Sequence, residues 1–458
     1  MRGLAAIRPA QAPRLRRWDA VILGGALPGL VAGVRLAQRG VRVLVIEETC
    51  AAKGFFGLRE PFLLPDAGPD GVVGTCLREL GVPLIDRRRL VPSDVALQIA
   101  TPGARIDFGH PEITLAELTS WGIVEPRAGR DLLAALDDAA REERDALLGS
   151  PIVKGPRRRW RGDTPGRPEG SLPEIPDRLR PVLDGLARAL SDLGESQPSP
   201  PACLRLLGSA LSGGAGLEDE SAGLRDMLRR RLRELLGEFR QTGGSLSLLS
   251  VGGNPAVGLE DPSETCCGRV LILNAPLAGI ASACGESAPA PLCDSRPTAR
   301  RHRLRYRGAA AALPVGMFER VAHLSPPDAS GSRAVVTLRA FRCSQPDGGV
   351  ELIATTVAPI DPASRGAAEE WIHRTVRELL PFSEHDLEAV EVPEPTWDGD
   401  DLLSDPAGGR GWPKLADIRL AQRPSIFALE RSTTAGLGAE GDLLLGWRGG
   451  DAIADVLG

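Results

Sequence analysis

Residues 19–48, DAVILGGALPGLVAGVRLAQRGVRVLVIEE, restrict the folds open to this chain more than any other stretch. Val21, Ile22 and Leu23 are a short apolar run that suits a buried parallel strand. Gly24, Gly25, Ala26, Leu27, Pro28 and Gly29 then make a tight turn. Leu30, Val31, Val34, Leu36 and Ala37 recur at helical spacing, and Gly40 supplies a C-terminal stop. Residues 41–46 read as a second buried strand that ends in Glu47 and Glu48. Strand, glycine turn, helix and strand in that order predict a βαβ unit of the dinucleotide-binding kind. Glycines let the backbone approach a pyrophosphate, and the helix N-terminus offers N–H donors and the positive end of its dipole. An acid at the second strand's end reaches a ribose hydroxyl. Glu47 stands at that place, 18 positions after Gly29. One position departs from the pattern: glycine is expected at 24, 26 and 29, and position 26 is alanine.

With 458 residues, 42% of them hydrophobic, the chain can build two or three domains with a sizeable core. A formal charge of −5 argues against a nucleic-acid partner. No run approaches the ~18 apolar residues of a transmembrane helix. Arg2, Arg8, Arg14, Arg16 and Arg17 precede the first strand without an apolar segment, so no secretory signal is expected there. The eight cysteines show no C-x-x-C spacing and suggest neither zinc nor a disulfide framework. The vicinal pair Cys266–Cys267 precedes a strand and reads as incidental to it rather than redox-active. Five scattered histidines give no metal site. The expected location is the cytoplasm. Two arginine-rich segments, the N-terminal tail and residues 157–161, read first as solvated surface and second as peripheral contact with the inner face of a membrane.

The predicted fold class is α/β: a Rossmann-type, doubly wound, mainly parallel sheet interleaved with an α+β domain. The expected division is a basic tail at 1–17, then the first part of the dinucleotide domain at 18–110 and a helical insertion at 111–219. The dinucleotide domain returns at 220–295, the second domain at 296–424, and the dinucleotide domain closes at 425–458. Helices are expected at 71–80, 114–148, 179–193, 201–211, 224–239, 367–380 and 384–390. A hairpin joins 245–251 to 256–259, and strands are expected at 270–273, 334–341 and 351–357. The proline- and arginine-rich segment 150–180 reads as an exposed loop. At the end, a strand at 442–445, a glycine turn at 446–450 and a helix from 451 are expected.

This layout resembles the FAD-dependent oxidoreductases of the phytoene desaturase and amine oxidase superfamily. Four segments carry the likeness: VILGGALPG to VIEE, LLPDAGPDGVVGTCLRELGVP, the run AGLRDMLRRRLRELLGEFRQTGGSLSLLSV with CGRVLILNAPLAGI, and GDLLLGWRGGDAIADVLG. The helical insertion and LPVGM at 313–317 sit closer to carotenoid desaturases than to amine oxidases. The resemblance implies FAD as cofactor. Gly24, Gly25 and Gly29, with Ala26 in the middle place, would touch its pyrophosphate. Glu47 would bind the adenosine ribose, and Leu248 would offer backbone contacts to adenine. Lys53 stands where the family has the arginine of a G-G-R turn. Arg448, Gly449 and Gly450 would flank the flavin at the N-terminus of the last helix. The implied reaction removes a hydride from a small apolar, isoprenoid- or carotenoid-like substrate to flavin N5, with an unspecified electron acceptor. No acid–base or nucleophile constellation accompanies this. Glu319, His323 and His302 are isolated, so no catalytic residue is assigned.

Three departures, Ala26, the sequence at 51–57 in place of G-G-R, and Trp447 where the family has an aspartate, keep a rival reading open. On that reading the fold has lost catalysis and serves as a binding or assembly component. An amine or protoporphyrinogen-type oxidase is a third reading. Aromatic residues at 4% and a single tyrosine, Tyr306, disfavour the amine oxidase.

Overall fold

The apolar run at 21–23 is the inner end of a longer strand. The computed structural model describes residues 14–49, 56–149, 152–154, 174–194, 196–217, 223–261, 263–285, 292, 297–326, 334–342, 349–381, 383, 386–392, 394–405 and 416–458. Lys53, residues 1–13 and the arginine cluster at 157–161 lie outside the described residues. Strand β1 spans Arg14–Leu23. Arg14 to Arg17, expected in the tail, pair instead with residues 264–267 in parallel register, and Arg16 meets Glu264 at 2.8 Å. Helix α1 covers Leu27–Gln38 and β2 covers Val43–Glu48. Every residue of β2 is buried, as a strand covered on both faces requires.

Parallel pairing extends the sheet outward from β1. Strand Glu238–Val251 lies outside β2, and Glu264–Leu273 lies on the other side of β1, followed by Ile426–Ala428. Arg419–Ala421 pairs antiparallel at the edge. The expected hairpin is present, turning at Gly252 and Gly253, both with positive φ. A second, mostly antiparallel sheet of eight described strands runs from Leu387–Val390 through Ala299–Ala309, Gly349–Pro359, Val335–Arg342 and Arg320–Leu324 to Val95–Thr101 and Ala104–Gly109, with Leu402–Leu403 paired to Ala299–Ala309 off this path. Helix Pro362–Leu379 packs beneath it, and the helices Pro111–Ser120, Pro126–Gly149, Arg180–Leu190 and Pro200–Leu211 form the insertion.

Several boundaries differ from the sequence reading for local reasons. The expected helix at 114–148 is two helices, because Gly122 turns at φ +63° and Pro126 starts afresh. The helix expected over 224–239 stops at Glu234, after which Leu236 takes φ +64° and a strand begins at Glu238. Residues 387–390 are a strand against Ala299–Ala309, not a helix.

The largest correction is at the end of the chain. Residues 442–457 are not strand, turn and helix; one helix runs unbroken over Gly438–Leu457. Gly446, Gly449 and Gly450 lie in its interior, where each would ordinarily destabilise it by about 1 kcal/mol relative to alanine. Close packing explains them. A Cβ on Gly446 would run into the Pro28 carbonyl oxygen and stand 2.6 Å from Val31 Cβ, and one on Gly450 would stand 3.0 Å from Arg35 Cβ. A Cβ on Gly449 would meet Leu429 Cδ2 at 2.6 Å. The glycines therefore let the closing helix lie directly on α1. Val31, Val34, Leu443, Leu444 and Ile453 are all buried in the core between these layers. No described helix is long and apolar enough to cross a membrane. Replacing Gly446 by valine forces these helices apart, and overpacking of this kind costs about 1–3 kcal/mol. The expected result is a lower melting temperature in calorimetry, whereas a variant that melts with the parent would contradict this packing.

Candidate functional site

The crevice sits at the C-terminal ends of β1, β2 and Glu264–Leu273, the place where open α/β sheets take ligands. Its floor is the glycine turn. Gly24 takes φ +107° and donates its N–H to the Ile46 carbonyl at 2.8 Å. Asn274, the first residue after Glu264–Leu273, closes the turn: its Nδ2 donates to the carbonyls of Gly24 at 3.3 Å and Ala26 at 2.8 Å. The glycines are small because protein fills the space they leave. A Cβ on Gly24 would stand 2.7 Å from the Asn274 carbonyl oxygen, one on Gly25 would strike Glu47 Oε1, and one on Gly29 would strike Asn274 Nδ2. Ala26 is the N-cap of α1 and its carbonyl accepts from Leu30 N–H at 3.2 Å, so the alanine keeps the helix start intact.

An anion already sits at the start of α1, and it belongs to the chain. The Asp398 carboxylate accepts from Gly25 N–H at 3.0 and 3.2 Å and from Glu48 N–H at 3.3 Å. Arg59 Nη2 reaches it at 2.9 Å and reaches Asp400 at 3.0 Å. Asp398 is fully buried, and burial pushes its carboxyl up against the opposing pull of Arg59. Asp400 is held far below the usual carboxylate range: burial opposes this, but Arg59, Arg431 and Arg225 outweigh it.

Glu48 fixes the loop that carries Asp398. Its carboxylate accepts from Thr396 N–H and Oγ1–H, Trp397 N–H and Asp398 N–H, at 2.7 to 3.1 Å. Burial raises its pKa, but these four donors outweigh burial and hold Glu48 below the ordinary 4.5. Trp397 is 1% exposed and fills the space beside Gly279 and Ile280, and half-buried Leu248 belongs to the same apolar cluster.

Helix Leu224–Glu234 supplies the cations behind the turn. Arg225 donates to the Gly25 carbonyl, and its Nη1 has no hydrogen-bond partner among the described residues, with Asp400 at 3.6 Å. Burial, reinforced by Arg59, pushes Arg225 down to about 10. Arg229 holds Glu47 Oε1 at 2.7 Å. The ribose position assigned to Glu47 is thus taken by an ion pair.

Two cavities share Arg59 and Asp400 as a wall. One, of about 110 Å³, lies at the N-terminus of the closing helix and is lined by Gly438, Asp442, Arg303, Arg339, Thr337 and Thr355 among others. Burial pushes Asp442 up to about 6, with Arg431 opposing and Asp192 adding to the rise. The other cavity, of about 500 Å³, is lined by His302, Arg300, Arg303, Glu391, Trp397 and neighbouring residues. Both mix charged with apolar residues, and the wall of the first also contains Leu58, Phe62, Leu206 and Leu437.

The remaining sequence candidates are elsewhere. Arg448 and Gly449 to Gly450 are two turns or more inside the closing helix, so they do not flank its N-terminus; Arg448 lies over the Trp447 ring at 3.9 Å and donates to Leu148 O. His323 faces Glu378 at 3.6 Å, away from the turn. Cys266 is buried, and burial pushes its thiol up to about 12. No metal-binding cluster occurs among the described residues. Sequence reasoning missed Asp398, Glu48, Arg59 and Arg225. Only the doubled acid at 47–48 and the arginine-rich helix hinted at them.

The donors of the crevice suit a diphosphate: a glycine turn, a helix start, and guanidinium groups of which Arg59 Nη1 has no hydrogen-bond partner among the described residues and Arg225 Nη1 has only Asp400 at 3.6 Å. The Asp398 carboxylate takes the Gly25 N–H and Arg59 Nη2.

No protein-family model matches the sequence, and no curated protein does. Solved structures match over nearly the whole chain. An oxidoreductase from Methanosarcina mazei is similar at TM-score 0.56 and 15% identity, over 93% of this chain and 98% of that one. A triple mutant of putrescine oxidase is similar at TM-score 0.53 and 15% identity, over 97% and 100%. A geranylgeranyl bacteriochlorophyll reductase-like protein from Thermoplasma acidophilum is similar at TM-score 0.50 and 9% identity, over 96% and 79%. The chain therefore shares its overall fold, an α/β unit of Rossmann type joined to a second sheet, with these proteins.

Glu48 makes a specific prediction. A group whose pKa is lowered by folding contributes stability above its unfolded value, and loses it as pH falls through the folded one. Acidification below 4.5 should release the 396–398 loop, and Glu48→Ala should release it at neutral pH. Hydrogen exchange at amides 396–398 reads this as about 2–4 kcal/mol of lost protection; unchanged protection would remove Glu48 as the anchor.

Proposed function

We propose that this chain is an FAD-dependent oxidoreductase that rests with its dinucleotide crevice closed by its own loop. The carrying observation is the unit of β1, glycine turn, α1 and β2 with Glu47 at its end, set in a fold shared with the Methanosarcina mazei oxidoreductase. The Gly24–Gly25 backbone, the start of α1, Arg59 and Arg225 would hold the diphosphate, and Glu47 would take the ribose after leaving Arg229. When bound, the flavin supplies a two-electron acceptor for hydride removal from a C–H or C–N centre. The chain's own residues exclude water and orient the substrate. Arg303, Arg339 and Asp442 at the closing helix, set among Leu58, Phe62, Leu206 and Leu437, suit a substrate that has a polar end and an apolar body.

A second reading, a cofactor-free binding or assembly component, is favoured by one observation: Asp398 on Gly25 N–H, held there by Glu48. Absorbance of the purified protein at about 350–500 nm, before and after adding FAD, separates the two. Flavin bands at near-stoichiometric occupancy are expected; a colourless, folded protein that takes up no FAD overturns the first reading and leaves the second.

A further inference from the structure

We propose that the Asp398 carboxylate is a built-in substitute for a phosphate group, and that it sets how tightly the crevice binds any diphosphate. The inference rests on reading the crevice as a dinucleotide seat and goes beyond it, because it names the residue that competes for that seat.

The contacts of Asp398 are those a phosphate oxygen would make at this place in a βαβ unit. They are a backbone N–H of the glycine turn (Gly25), a backbone N–H at the end of β2 (Glu48) and a guanidinium N–H (Arg59 Nη2). The carboxylate stands at the start of a 12-residue helix, where the dipole favours negative charge. Around it Arg59, Arg225 and Arg229 face Asp398, Asp400 and Glu47, with Glu48 bonded to the same loop and Arg431 acting on Asp400. Two of these arginines have hydrogen-bonding capacity left over. Among the described residues Arg59 Nη1 has no hydrogen-bond partner, and Arg225, 3% exposed, has none for its Nη1 beyond the ion pair with Asp400 at 3.6 Å. A single carboxylate has two oxygens and cannot saturate a seat of this size; a diphosphate brings more oxygens and more charge. The chain therefore holds a weaker, permanently tethered anion where a stronger, free one fits.

The tether explains how the weaker anion prevails. Four hydrogen bonds from the 396–398 segment to Glu48 keep Asp398 at the seat, so its effective concentration there is high. A free diphosphate must displace the carboxylate before it gains the Gly25 and Arg59 donors. Removing the carboxylate takes away one negative charge and leaves buried donors without an acceptor and the helix start uncovered.

The test uses the full chain with three probes: inorganic pyrophosphate, ADP and adenosine. Their binding is followed by calorimetry and by thermal shift on the parent, Asp398→Ala and Asp398→Asn. Asp401→Asn is the control, because Asp401 lies on the same loop but pairs with Arg303 away from the turn. Asp398→Ala and Asp398→Asn should bind pyrophosphate and ADP roughly tenfold or more tightly than the parent, given the strength of charge-assisted hydrogen bonds. Pyrophosphate should raise the melting temperature of both Asp398 variants more than that of the parent. Adenosine, which lacks the diphosphate, should show no gain, and Asp401→Asn should match the parent. A gain in Asp401→Asn equal to that of the Asp398 variants would mean that loosening the loop suffices, and would overturn the inference. Folded Asp398 variants with no gain for pyrophosphate or ADP would overturn it as well. Repeating the titration with FAD keeps the two claims apart. Equal FAD binding by parent and variants defeats the inference while the oxidoreductase reading stands. FAD binding by the variants alone defeats that reading for the parent chain and upholds the inference.

Discussion

Buried arginines that need buried carboxylates determine how the parts of this molecule fit together. An ion taken out of water without a partner costs several kcal/mol, so such groups occur in matched sets or not at all. Here the sets interlock across distant segments. Arg59 joins the end of the first βαβ unit to Asp398 and Asp400, and Arg205 of the helical insertion reaches Asp66 and Glu440. Arg431 ties Asp192 to Asp442, and Arg301 of the second sheet adds to the same Asp192. Breaking one member would strand its partners. The second sheet, the insertion and the closing helix are therefore located over the parallel sheet by charge as well as by apolar contact.

The same rule covers the helix starts. Asp398 stands at the beginning of α1, Glu60 accepts from the N–H groups of Leu224 and Arg225, and Asp361 caps Pro362–Leu379. The Glu60 carboxyl is raised by burial, which Arg225 and Arg339 partly offset. In each case a side chain serves unpaired backbone donors and complements the helix dipole. At α1 the carboxylate comes from a loop 373 positions away, whereas Asp361 caps the helix that directly follows it.

What the sequence made legible follows from range. The unit β1, α1 and β2, the stops at Gly40 and Gly81, and the hairpin at Gly252–Gly253 depend on neighbours within a few residues, so periodicity and turn chemistry expose them. Asp398 acts on Gly25 across 373 positions of chain, and no local pattern marks such a carboxylate. The glycines at 446, 449 and 450 misled for a related reason. A glycine pair before an apolar run looks like a turn, and only the nearness of α1 shows why a helix tolerates it. The strand at 387–390 likewise exists because Ala299–Ala309 offers an edge to pair with.

The contact of the closing helix with α1 has a bearing on how the chain reaches this state. The opening unit buries Val31 against Gly446, near the other end of the sequence. Synthesis at roughly 5–20 residues per second leaves that apolar face uncovered for on the order of tens of seconds. Contacts so distant in sequence also make closure slow once the segments are available. The nascent βαβ unit must therefore persist as an unfinished layer, which makes the earliest part of the fold to be synthesised among the last to be sealed.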